Sequence, residues 1–342
     1  MIRNLLRLLA RPIRRGSEHK GRMIQPYRGY GSSHRLAMVG RVFRQPGRAS
    51  VAPQGRFLRD LLRFVRRLFR RGARDQEVLL VVGDREYRTT TDKAGYFRFR
   101  VDEAQGLPLS EGLNDVRLCL ADDSEICADV EIYVAPRRSG FVVISDIDDT
   151  VMYTGVANKL KMIWRLFATG AESREAFPGV GDFYRALHAG PDGNQHNPML
   201  YVSRAPWSIY EMLEAFFQRH DIPVGPVLFL RDWGLTVQRP LPRRAVDHKR
   251  DLIEDMLDLY DELPFILIGD SGQHDPEVYV DIVERHPGRV KAVYIRDVTG
   301  SSSRAGEIDR LAEAARRAGC ALLLTNDTDD MVEHARKNGL VN

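Results

Sequence analysis

No apolar run in the chain approaches the ~18 residues that a membrane-crossing helix needs; strand-like stretches such as FILIG at 265–269 stop far short. That argues against a spanning helix. Cysteine is scarce too, with only Cys119, Cys127 and Cys320. An odd count with no apolar leader and no small-residue cleavage site predicts reduced thiols in a cytoplasmic setting; Cys119 and Cys127 could face each other across a hairpin centred on Asp123, but packing is the favoured role for both. Acidic residues are nearly missing from the first 75 positions, which hold 20 Lys and Arg against 3 Asp and Glu. The remainder holds 31 against 44, so the formal charge of +4 joins a basic head to an acidic body. Such a head is expected to meet something anionic: phospholipid, nucleic acid or the acidic body itself. Its Arg-rich, acid-poor start also has the look of an organelle transit peptide.

Three segments follow from the patterning. Residues 1–33 read as a basic, extended arm. Residues 34–137 carry short alternating strands broken by turn chemistry such as DKAG at 92–95, which predicts a small antiparallel β-sandwich. Inserted there, RFLRDLLRFVRRLFRR at 56–71 has helical period, with leucines and phenylalanines on one side and six arginines on the other. It fits either a helix packed on the sandwich or an interfacial helix that rests on anionic lipid. From 138 to 342 strands and helices alternate, which predicts an α/β domain with a Rossmann-like, doubly wound parallel sheet.

The chemistry gathers where strands end. FVVISD closes on Asp146, PMLYVS on Ser203 and FILIGD on Asp270. In an open parallel sheet ligands bind beyond the carboxyl ends of the strands, so these three residues should meet in one crevice. Asp148, Asp149 and Asp275 add carboxylates nearby. Crowded like charges repel and resist burial, and a hard cation relieves both; oxygen ligands favour Mg2+ over Ca2+. A calcium-binding EF-hand loop is a poor alternative, since its sixth position would be Val151 rather than glycine and a strand precedes it. Lys249 supplies a second cation. With Asp247 as the helix cap, Lys249 falls in the first turn, where the helix dipole disfavours it unless it faces the acidic crevice.

Taken together, Asp146-Ile147-Asp148-Asp149-Thr150, Ser203, Lys249 and Gly269-Asp270 with Asp275 resemble the four motifs of the haloacid dehalogenase superfamily, in order. The stretches SDIDDTVMYTGV, FPGVGDFYRAL, YVSRAPWSIYEMLEAFF, PVLFLRDWG and DHKRDLIEDMLDLYDELPFILIGDSGQHDPEVY further resemble the actin-patch-associated phosphatidate phosphatase family. A preceding β-sandwich suits that family. The resemblance implies an aspartyl-phosphate mechanism with Asp146 as nucleophile and Asp148 as acid and base. It also implies that Thr150 ties down the loop, that Ser203 donates to a phosphoryl oxygen, and that Lys249 neutralises charge. Mg2+ would be held by Asp146, the Asp148 carbonyl and Asp270, with Asp275 orienting metal-bound water.

Other residues leave alternatives open. Arg204 would meet a second anionic group or pair at the sheet edge, and His274 would touch a headgroup or simply sit on a loop. Segment 156–177 lies where the superfamily inserts a cap, and its lysines beside Met162, Ile163, Trp164 and Phe167 suit either a lipid-facing lid or an ordinary amphipathic helix. The expected function is a Mg2+-dependent phosphatase of phosphatidate or a related lipid phosphate, peripheral on an anionic membrane through residues 1–72. The alternatives are a phosphatase of soluble or nucleic-acid-end phosphates, and a non-catalytic lipid-binding protein, which would be expected to lack Asp146 or Asp148.

Overall fold

In Glu77–Val82, Val78, Leu80 and Val82 are buried and the residues between them are not, the period-two signature of a strand with one face inward. The same logic runs through the first of two compact units, residues 1–134 and 135–342, in the computed structural model. That structure describes residues 21–44, 72–151, 176–203, 210–223, 225–229 and 245–342. The expected helix at 56–71, most of the expected lid at 156–177, Arg204, and the first twenty residues of the arm lie outside the described residues.

The first unit contains β1 (Arg22–Pro26), β2 (Gly29–Gly31), β3 (Arg35–Arg44), β4 (Glu77–Val82), β5 (Arg85–Thr90), β6 (Tyr96–Asp102), β7 (Gly112–Leu120) and β8 (Asp123–Val134). They hydrogen-bond in the order β1-β3-β2-β8-β7-β4-β5, with β6 also paired to β3. Every pairing is antiparallel except β2 with β8. Side chains from β3 and β6 share one apolar core with those from β4, β7 and β8, including Met38, Phe97, Leu80, Leu118 and Ile132.

Two expectations are corrected here. Residues 22–31, assigned to the extended arm, are strands of the sheet. They are short and bury few side chains, Ile24, Tyr27 and Tyr30 among them, so alternation could not reveal them. Their fit depends on bare backbone: a Cβ on Gly31 would lie 2.4 Å from the Arg35 carbonyl oxygen. Cys119 and Cys127, expected as reduced thiols, face each other in the β7–β8 register and are joined by a disulfide. The hairpin places them directly opposite, with Cα atoms 4.1 Å apart. Cys320 is buried and free.

The second unit contains β9 (Val142–Asp146), α1 (Val180–Ala189), β10 (Met199–Ser203), α2 (Tyr210–Arg219), β11 (Val227–Phe229), α3 (Ala245–Leu259), β12 (Phe265–Asp270), α4 (Asp275–Arg285), β13 (Val290–Arg296), α5 (Ser302–Arg317), β14 (Ala321–Thr325) and α6 (Thr328–Lys337). The strands form a six-stranded sheet in the order β11-β10-β9-β12-β13-β14, all parallel. β9, β10 and β12 are buried along their whole length, which is why they read as continuous apolar runs. The chain runs outward from β9 through β10 to β11, then returns to the other side of β9 with β12. The order therefore reverses beside β9, where open α/β sheets leave a crevice at the strand ends. Among the described residues no helix is long and apolar enough to cross a membrane.

Candidate active site

The three strands that end in polar residues are neighbours in this sheet. β9 lies between β10 and β12, with Val202 opposite Asp146 and Ile268 opposite Ser145. Pairing runs on past the end of β9, since Ile147 N–H donates to the Val202 carbonyl. The chain then closes a turn from Val151 N–H to the Ile147 carbonyl. Asp149 takes the left-handed conformation (φ 58°) that aspartate tolerates better than most residues. Ile147 is fully buried, as expected for a residue alternating with two functional carboxylates.

Asp146, Asp148, Thr150, Ser203, Lys249, Asp270 and Asp275 are all buried. Lys249 Nζ donates to Asp146 Oδ1 at 2.7 Å and to Asp275 Oδ1 at 2.6 Å. The second oxygen of Asp275 accepts from the Asp270 N–H at 3.3 Å. That approach needs Gly269, where a Cβ would lie 2.4 Å from Asp275 Oδ2. Ser203 Oγ lies 3.4 Å from Asp148 Oδ2. The expected catalytic and metal residues are thus brought together, with one correction of detail. Helix α3 already runs at Ala245, so Asp247 is inside the helix rather than its cap, and Lys249 stands beyond the first turn.

The electrostatics match the crowding. Burial pushes the Asp146 carboxyl well above its ordinary range; Lys249 opposes this, and Asp275, Asp148 and Asp270 add to it. Burial alone would lower Lys249, but Asp146 and Asp275 outweigh it and hold the ammonium protonated well above its usual value. Asp270 is pushed up to about 7, first by burial and then by Asp275.

One oxygen from each of Asp146, Asp270 and Asp275 lies within 4.8 Å of the others. Asp146 Oδ2 is buried and has no hydrogen-bond partner among the described residues. An orphaned carboxylate oxygen beside two further carboxylates suits a hard divalent cation, and Asp146, Asp270 and Asp275 are the carboxylates that could hold one. A consequence is measurable by melting. Asp270 is an acid with a raised pKa, so without divalent cation it costs stability progressively as pH rises from about 4 to about 7, and constantly above that. Mg2+ should therefore raise the melting temperature more at pH 8 than at pH 5. Equal shifts at the two pH values would contradict the site.

Sequence reasoning missed four residues. Tyr279 on α4 lies under Lys249 Nζ, 5.4 Å from the ring centre, and its hydroxyl donates to the Ile268 carbonyl. Arg296, at the end of β13, donates to the carbonyls of Thr150 and Asn326 and to Thr328 Oγ1, with its guanidinium over Phe177. The turn after β9 is thus tied at Thr150 through its carbonyl, while the Thr150 hydroxyl is buried without a partner among the described residues. Strand-end position, applied to VKAVYIR as it was to the carboxylates, would have singled out Arg296. Gln273 donates to Asp270 Oδ2 at 2.7 Å, and Arg304 grips the same loop. His274 is exposed.

Against known proteins, residues 141–297 match the family described as phosphatidate phosphatase APP1, catalytic domain. The phosphatidate phosphatase APP1 of Saccharomyces cerevisiae is 30% identical over 171 residues, covering 50% of this chain and 28% of that protein. An uncharacterized protein of Schizosaccharomyces pombe is 28% identical over 161 residues, covering 47% and 26% respectively. The chain thus spans little more than a quarter of the length of these curated relatives. Among solved structures, a carbohydrate acetylesterase from Xanthomonas citri overlaps with a TM-score of 0.27 at 11% identity, covering 84% of this chain and 72% of that one. A score that low does not relate the two folds.

Proposed function

We propose, from the match of residues 141–297 to the APP1 phosphatidate phosphatase catalytic-domain family, that this chain is a Mg2+-dependent phosphomonoesterase acting on phosphatidate or a related lipid phosphate at a membrane surface. Its second unit is then a haloacid dehalogenase-like domain, a reading supported by the strand order and by motif residues at adjacent strand ends. The observation that carries the proposal is the buried Lys249 held between Asp146 and Asp275, with one Asp146 oxygen left unpartnered.

In this reading the Asp146 carboxylate attacks phosphorus and the bond to the lipid alkoxide breaks. Asp148 gives its proton to the leaving oxygen. Water then attacks the phosphorus of the aspartyl-phosphate, Asp148 takes up the proton, and inorganic phosphate leaves with Asp146 restored. Ser203, beside Asp148, donates to a phosphoryl oxygen. Lys249 keeps Asp146 oriented and offsets the charge gathering on the phosphoryl group. A bound Mg2+ would screen the phosphoryl charge from the carboxylates. Catalysis by this set is mainly positioning and charge compensation, which explains why its charged members are buried rather than solvated.

The basic head, with its amphipathic segment at 56–71, gives the sequence-level support for a membrane surface. Vesicles containing phosphatidate separate the alternatives. Mg2+-dependent phosphate release from them is the expected result. Activity confined to soluble or oligonucleotide-end phosphates would replace the lipid substrate, and vesicle binding without turnover on any phosphate would make the chain a binding protein.

A further inference from the structure

The loop between Asp270 and Asp275 contains one uncharged side chain that reaches two of the groups expected to hold the cation. Gln273 Nε2 donates to Asp270 Oδ2 at 2.7 Å and lies 3.5 Å from the carbonyl oxygen of Asp148. The side chain thus spans from the β12 loop to the nucleophile turn, 125 residues away in sequence. Its other end, Oε1, is buried and has no hydrogen-bond partner among the described residues. A buried amide oxygen without a donor carries a desolvation cost comparable to a lost hydrogen bond.

The backbone beneath this side chain is pinned. Arg304, in the first turn of α5, donates through Nε to the Ser271 carbonyl and through Nη2 to the Gln273 carbonyl, both at 2.9 Å. Glu277 on α4 and Glu307 on α5 hold the guanidinium in place. With the main chain fixed at 271 and 273, the freedom left at this position is rotation of the Gln273 side chain. An amide is nearly symmetric in shape, so half a turn about its last bond exchanges NH2 for oxygen with little change in packing.

Resting on the phosphatase reading, we propose that Gln273 is a cation-facing residue of the active site, whose amide turns to present Oε1 to the divalent ion held by Asp146, Asp270 and the Asp148 carbonyl. The tip already touches two of those three groups, and an N–H directed at a cation would be repelled and has no lone pair to give. Oε1 is a neutral, hard oxygen of the kind such ions accept. A neutral ligand also adds coordination without adding a further charge to a cluster that already crowds Asp146, Asp148, Asp270 and Asp275.

The test compares wild-type chain with Gln273→Met, which removes donor and acceptor at similar size, and Gln273→Glu, which keeps an oxygen and removes the donor. Mn2+ titration followed by electron paramagnetic resonance gives affinity. Luminescence lifetimes of bound Eu3+ in H2O and D2O count the waters on the ion. Expected is about a tenfold weaker Mn2+ affinity in Gln273→Met with one more water on Eu3+, and in Gln273→Glu an affinity at least equal to wild type with no added water. An unchanged water count in Gln273→Met, at whatever affinity, overturns the proposal, because Gln273 then only braces Asp270. Failure of the wild-type chain to bind Mn2+ or Eu3+ overturns the metal-dependent reading and this inference together.

Discussion

Asp146→Asn should leave a folded protein whose phosphate release has dropped by about 10^6-fold, the scale seen when a catalytic nucleophile is removed. The substitution keeps the side chain's size at a position with no solvent exposure, so packing is conserved. It also removes a charge that the site resists, since burial and three neighbouring carboxylates all push this carboxyl upward. Lys249 loses one carboxylate but keeps Asp275 at 2.6 Å. Melting temperature should therefore stay within a few degrees of wild type, or rise, when both are measured in chelator. A large fall in activity with unchanged stability separates a nucleophile from a structural aspartate. Retained turnover would remove Asp146 from the mechanism, and collapse of the fold would make its role architectural.

The parts of this site visible in the sequence were those where two rules met. Asp146, Ser203 and Asp270 each end an apolar run, and the fold places those runs side by side as β9, β10 and β12. Lys249 was legible only through charge balance; its helix register was not, because Asp247 has the chemistry of a cap and sits inside the helix. Gln273 and Arg304 had no such signal. A neutral glutamine between carboxylates looks like loop filler, and an arginine at a helix start looks like surface. Their roles come from contacts at separations of 125 residues in one case and 31–33 in the other, which no local pattern encodes. The disulfide was passed over for a different reason, since an odd cysteine count weighed against bonding even though a hairpin centred on Asp123 would set Cys119 opposite Cys127, as the β7–β8 register does. Strands β1 and β2 escaped because five and three residues are too few for alternation to register.

Lys249→Met carries the second large effect, and here stability and activity should fall together. Lys249 is fully buried between two fully buried carboxylates. Methionine fills similar space but leaves Asp146 and Asp275 facing each other without their shared ammonium. Breaking a buried pair by removing one partner costs about 3–5 kcal/mol, and two carboxylates lose their partner at once. The carboxylates would answer partly by taking up protons, so the loss should be larger at pH 8 than at pH 5. Turnover should fall at least as steeply, because neither the orientation of Asp146 nor the offset of phosphoryl charge survives. A divalent cation beside Asp146 supplies positive charge to the same cluster, so Mg2+ should recover part of the lost melting temperature and raise it by more than in wild type. It should not restore phosphate release. Calorimetry with and without chelator measures both shifts. If Mg2+ stabilises the variant no more than wild type, the cation does not share this cluster with Lys249, and the electrostatic design argued for the site is wrong.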